Sequence, residues 1–174
     1  ELLTRALDEA NNTVFGLAGR QPEFRGMGTT LVAALVQGGE ATILNVGDSR
    51  AYLFDGARLH QLPEDHPSVE EMRRQGRITE ADARTHPQKN LITRAVGVEP
   101  TVEGDLFEAR LGENEVLLLC SDGLTGMAED EKIADTLQNA KTLPLAGDAL
   151  LNLALAGGGR DHIPAAPLTR GHED

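Results

Sequence analysis

The chain has 174 residues, enough for one core and too few for two, and its 40% apolar and 25% charged content is that of an average globular domain. Its 28 acidic against 16 basic residues give a net charge of −12 and a pI near 4.8. That excludes the basic patch needed for non-specific binding to nucleic acid or an anionic membrane. One tyrosine, four phenylalanines and no tryptophan leave few rings for stacking bases or sugars.

Residues 1 to 18 place Leu2, Leu3, Ala6, Leu7, Ala10 and Val14 at three- and four-residue spacings, the face of an amphipathic helix docked on a core. Glu1 to Leu7 carries charge where a signal peptide is apolar, so no signal peptide is expected. Two strands are predicted at Leu31 to Val36 and Ala41 to Val46, joined by the hairpin turn Gln37-Gly38-Gly39-Glu40. A second hairpin follows, Ala51 to Phe54 and Arg58 to Leu62 about Asp55-Gly56. Prolines 63, 67 and 87 then interrupt the strand pattern, and Ser68 with Glu71 and Thr79 with Asp82 have the spacing of capping boxes. Residues 63–89 are accordingly read as an insertion of small helices at the rim of a site.

Strands resume at Leu106 to Leu111 and Glu115 to Cys120. Helices are expected near Glu129 to Gln138, where Glu129-Asp130-Glu131 complements the dipole, and from Leu145 to Leu155, stopped by Gly157-Gly158-Gly159. Pro164 and Pro167 remove ladder donors, so the stretch after Asp161 is read as an edge strand or a loop. The longest apolar runs, Thr30 to Val36 and Val116 to Cys120, stop far short of the roughly 20 residues that span a bilayer. The whole reads as one α+β domain over residues 1–174, with helices packed outside a sheet or pair of sheets. Cys120 has no partner for a disulfide within the chain, which fits a reducing compartment and the expectation of a cytoplasmic protein. It lies in an apolar strand without a basic neighbour, and is read as packing rather than as a nucleophile.

Three aspartates share one local setting, each at the end of an apolar element and flanked by glycine. They are Asp48 in Asn45-Val46-Gly47-Asp48-Ser49-Arg50, Asp122 in Leu119-Cys120-Ser121-Asp122-Gly123, and Asp161 in Gly158-Gly159-Arg160-Asp161. Each could simply close a turn, as Asp-Gly does routinely. Brought together they form an oxygen-only cluster, and carboxylates without Cys or His select Mg²⁺ or Mn²⁺ over Zn²⁺. Arg50 is expected to pair with a carboxylate, His86 to bond a carbonyl, and His162 to face solvent rather than a metal.

In this order and spacing the chain resembles the PP2C (PPM) family of metal-dependent serine/threonine protein phosphatases, most closely its bacterial branch. The matching segments are Gly26-Met27-Gly28-Thr29-Thr30, Val46-Gly47-Asp48-Ser49-Arg50-Ala51-Tyr52-Leu53, and Gln75-Gly76-Arg77-Ile78 through His86-Pro87-Gln88. Leu91-Ile92-Thr93-Arg94-Ala95, Leu118-Leu119-Cys120-Ser121-Asp122-Gly123-Leu124 and Gly157-Gly158-Gly159-Arg160-Asp161 complete the set. The resemblance implies an α-β-β-α sandwich of two antiparallel sheets flanked by helices. It also implies hydrolysis of phosphoserine and phosphothreonine in proteins by a metal-activated water, with Mn²⁺ or Mg²⁺ as cofactor. In the family pattern Asp122 and Asp161 match two carboxylates of the catalytic metal pair. Asp48 and Asp122, with Asn90 where Ser is common, match a third-metal site, and residues 63–89 match the substrate-selecting flap. A phosphoprotein substrate and a Ser/Thr kinase or its targets are the implied partners; no nucleic acid and no membrane segment are expected.

The sequence departs from the family in two places. It holds no Asp-Gly-x-Gly-Gly, whose Asp bridges both metals in the family, nor the phosphate-clamping Arg and general-acid His that accompany it. Where the family reads Arg-Asp-Asn and then an alternating strand, the sequence has Arg160-Asp161-His162-Ile163-Pro164. The expectation is therefore a fold lacking its first strands, with impaired catalysis. The alternative is a catalytically silent module of the same fold that binds a phosphoprotein, kinase or regulator.

Overall fold

The computed structural model describes residues 1–62, 79, 94–159 and 164–169. The predicted flap, both capping-box pairs and His86, Asn90, Asp161 and His162 fall wholly or partly outside these residues. The elements run α1 (Leu2–Arg20), a 3-10 turn (Pro22–Phe24), β1 (Leu31–Gln37), β2 (Glu40–Val46), β3 (Arg50–Phe54) and β4 (Leu59–Gln61). Then come β5 (Asp105–Arg110), β6 (Val116–Cys120), α2 (Asp122–Thr125), α3 (Asp130–Asn139), α4 (Leu143–Ala156) and β7 (Ala165–Thr169). The strands form two antiparallel sheets, ordered β1-β2-β5 and β4-β3-β6-β7. The predicted α+β class and every predicted strand and helix in the described residues are present.

The chain divides into two compact units, each with its own packing; the described parts of the first are residues 1–31, 44–48, 79 and 94–105. Here α1 lays Leu3, Leu7, Ala10 and Val14 against Leu31, Leu44, Val46 and Val96. Leu2 and Ala6, expected on the same face, are exposed, and Asn11 is buried instead. At 100° per residue the docked stripe runs 3, 7, 10, 11, 14, and positions 2 and 6 lie roughly 120° and roughly 80° from its centre.

Asn11 explains how a polar residue occupies that stripe. Its Nδ2 donates to the carbonyls of Glu99 (3.1 Å) and Pro100 (3.2 Å), and its Oδ1 accepts from the Gly97 amide at 2.7 Å. A loop 86–89 residues distant is thereby fastened to the helix through backbone groups alone. Gly97 has φ +88°, and a Cβ there would run into Val14, so the turn needs glycine on both counts.

The second unit covers residues 32–43, 49–62, 106–159 and 164–169. Its strands β3 and β6 are apolar on both faces because both are covered. Ala51, Leu53, Leu117 and Leu119 meet Ala41, Ile43, Phe107 and Ala109, side chains of the other sheet. Tyr52, Phe54, Leu118 and Cys120 meet Leu124, Ile133, Leu137, Leu150 and Ala154 from the helices. Cys120 is buried packing, as its apolar strand implied.

Helix α4 starts two residues ahead of its expected position because Thr142 caps it, its hydroxyl accepting from the Leu145 amide at 3.4 Å. Strand β7 pairs with β6 at the sheet edge, with Pro167 opposite Leu118, the edge placement that two prolines dictate. Asp55 closes the second hairpin by accepting from the amides of Ala57 (2.9 Å) and Arg58 (2.8 Å). Its hydrogen bond with His60 (2.8 Å), then those amides, hold its carboxyl down at about 2.

Candidate functional site

Asp48 stands on a turn at the end of β2, within the first unit. Strand β2 alternates faces, Ala41 and Ile43 one way and Leu44 and Val46 the other, so Asn45 shares the first face. Asn45 is fully buried, and its Nδ2 donates to the Gly47 carbonyl at 3.3 Å. Gly47 has φ +99°, and a Cβ there would lie 2.5 Å from Thr30 Cγ2 and 2.9 Å from Thr30 Cβ. Only glycine meets both demands, and the chain leaves it with Asp48 half-buried and Ser49 buried.

The matched segment that carries Thr30 is tied down nearby. Thr29 and Val96 exchange backbone hydrogen bonds of 3.1 and 2.8 Å, in the same unit. Arg94, from another matched segment, forks onto Asp105, Nη1 to Oδ1 at 3.3 Å and Nη2 to Oδ2 at 3.1 Å.

Asp122 belongs to the second unit, where β6 ends and the single turn α2 begins. Its side chain is exposed, while Leu124 two residues later is fully buried and anchors the turn in the core. The Gly126 amide donates to the Asp122 carbonyl at 2.7 Å, closing the turn. Ser121 donates its amide to the Pro164 carbonyl at 3.3 Å, which ties this corner to the residue before β7. Arg50 begins β3 opposite Cys120, and its Nη1 donates to the Tyr52 hydroxyl at 3.2 Å.

The described donors suit a hard cation in type, carboxylate oxygen on glycine-bearing turns at strand ends. Among the described residues no group of three or more His, Cys, Asp or Glu side chains is gathered for a metal. No helix among them is long and apolar enough to cross a membrane. Sequence reasoning picked out Asp48 and Asp122 from their glycine neighbours but passed over Asn45 and Thr30. The spacing Asn-x-Gly-Asp was the available signal for Asn45.

Residues 8–163 match the family model of protein phosphatase 2C. The chain belongs to the protein phosphatase 2C family. Among its relatives, the serine/threonine phosphatase stp of Listeria welshimeri is 42% identical over 168 residues, covering 97% of this chain and 67% of that protein. The crystal structure of the serine/threonine phosphatase Stp1 from Staphylococcus aureus superposes with a TM-score of 0.89 at 37% identity, covering 98% of this chain and 67% of that one. The catalytic domain of the phosphatase PstP, solved in complex with two manganese ions, superposes with a TM-score of 0.83 at 33% identity. The match covers 95% of this chain and 68% of the PstP domain, so this chain spans about two thirds of each of these relatives.

Proposed function

We propose that this chain supplies most of a metal-dependent protein serine/threonine phosphatase, with Asp48, Asp122, Asp161 and Asn90 as oxygen ligands for Mn²⁺ or Mg²⁺. What supports the reading most is the protein phosphatase 2C match over residues 8–163, in which all four residues fall. A bound divalent cation supplies an acidified water and charge neutralisation for the phosphate ester. The chain's own part is to hold carboxylates ready. The Gly47 turn presents Asp48, and the buried Leu124 fixes the turn from which Asp122 reaches solvent.

The substrate class is a phosphoserine or phosphothreonine protein, and residues 63–89 are the proposed flap that selects it. A Ser/Thr kinase or its targets are the proposed partners, in a cytoplasmic setting. The second reading is a catalytically silent module of the same fold that binds such a phosphoprotein.

One pair of measurements separates the two readings. Calorimetric titration of the purified chain with Mn²⁺ is expected to give binding that Asp122→Asn weakens at least about 10-fold, as loss of a ligand does. Joining the chain to an Asp-Gly-x-Gly-Gly segment from a family member is expected to yield Mn²⁺-dependent release of phosphate from a phosphothreonine peptide, abolished by Asp122→Asn. A folded fusion that binds Mn²⁺ and releases no phosphate supports the silent module. No Mn²⁺ binding by either protein sinks the metal assignment.

A further inference from the structure

Asn45 is a polar side chain where packing alone would place an apolar one. It shares its face of β2 with Ala41 and Ile43, is fully buried, and among the described residues its Oδ1 has no hydrogen-bond partner. A leucine, branched in the same way but without polar atoms, would carry no unpaired oxygen, so the amide stands there at a cost to stability. The one bond it makes among the described residues explains what the cost secures. Nδ2 donates to the Gly47 carbonyl at 3.3 Å, and that carbonyl belongs to the peptide plane leading directly into Asp48. Fixing the carbonyl fixes the plane, and with it the direction in which the Asp48 Cα projects its carboxylate.

Thr30 adds a second restraint at Gly47. Its Cγ2 and Cβ occupy the space a Cβ on Gly47 would need, so the glycine is held in its φ +99° conformation by contact as well as by the hydrogen bond. A glycine without such restraints is the most mobile residue in a turn. A carboxylate that ligates a cation gains most from a support that orients it before the ion arrives.

We infer that Asn45 is a positioning residue for Asp48: its buried amide locks the Gly47–Asp48 peptide so that the Asp48 carboxylate is preset for a divalent cation. This rests on the proposed metal role of Asp48. The polar group acts through the backbone and touches no reacting atom.

The test is a double-mutant cycle of Asn45→Leu and Asp48→Asn, read by Mn²⁺ calorimetry and thermal unfolding. Asn45→Leu is expected to unfold within about 4 °C of the unaltered chain while losing about 10-fold of its Mn²⁺ affinity. In the Asp48→Asn background the same change is expected to cost no further affinity, because the ligand it positions is already gone. Should Asn45→Leu not fold, Asn45→Ala carries the same comparison.

A folded Asn45 variant with unaltered Mn²⁺ affinity overturns the inference, and so does an affinity loss that persists in full without the Asp48 carboxylate. If Asp48→Asn itself leaves Mn²⁺ binding unchanged, the metal role of Asp48 falls and the inference falls with it. If Asp48→Asn weakens binding and Asn45→Leu does not, the inference alone is lost and the metal role stands.

Discussion

Two turns in the first unit are assembled from the same parts and finished differently. Each has a glycine at positive φ, Gly97 at +88° and Gly47 at +99°, and each glycine's missing Cβ is replaced by a β-branched neighbour, Val14 or Thr30. Each is bonded by a buried asparagine. Among the described residues Asn11 uses both ends of its amide, with three backbone partners, whereas Asn45 uses its Nδ2 once and leaves Oδ1 without any. A fully paired buried amide stabilises and specifies a fold, while a half-paired one costs stability that a purely structural position has no reason to bear. The Asn11 turn therefore reads as scaffold and the Asn45 turn as part of the site.

The strongest test of the scaffold half is Gly97→Ala. The substitution forces a side chain into the left-handed region and into Val14 at once. Together these are expected to cost about 3 kcal/mol. Urea unfolding followed by the emission of Tyr52, the single tyrosine in a chain without tryptophan, measures it. A loss under about 1 kcal/mol would mean that the helix and the loop are not fastened as described.

Asn11→Leu comes next, and it is the direct counterpart of Asn45→Leu. It strands the buried Gly97 amide, while the carbonyls of Glu99 and Pro100 belong to exposed residues and can turn to water. About 2 kcal/mol is expected from one orphaned buried donor and the bonds lost with it. Asn45→Leu discards an unpaired oxygen but leaves the buried Gly47 carbonyl without its donor, so a smaller loss of about 1 kcal/mol is expected there. Equal losses from the two leucine variants would erase the distinction between the turns.

The sequence disclosed the strands more fully than these turns, for a physical reason. Strands β3 and β6 are continuous apolar runs because both faces are buried, and α1 repeats its apolar residues at helical spacing, so composition and period carry the signal. Asn11 and Asn45 carry none, since an asparagine in an amphipathic pattern reads as a solvent-facing residue until its partners are known. For Asn11 those partners are 86–89 residues away. The single turn Asp122–Thr125 was likewise passed over, because four residues are too few to show a period. Asp48 and Asp122 were legible through the glycines beside them, which report a tight turn whatever the tertiary contacts are.

A third buried polar group sharpens the comparison with the smallest effect at neutral pH. The Tyr52 hydroxyl lies wholly inside the second unit, with Arg50 donating to it at 3.2 Å. Burial pushes the phenol up to about 12 from its ordinary 10, outweighing the opposing pull of the Arg50 charge. A folded-state value above the unfolded one means that the stabilisation is fully present below pH 10 and is lost as the pH rises through about 12. Because Tyr52 is the only tyrosine, tyrosinate absorbance follows it alone, and half-ionisation is expected near 12 in the folded protein and near 10 in denaturant. Tyr52→Phe should flatten the decline in stability between those values and change stability at pH 7 by less than about 1 kcal/mol. Ionisation near 10 in the folded state would mean that the hydroxyl reaches water and that burial is not the cause. A large loss at pH 7 would mean that the Arg50 bond fixes the fold as firmly as Asn11 does, moving Tyr52 to the scaffold side of the comparison.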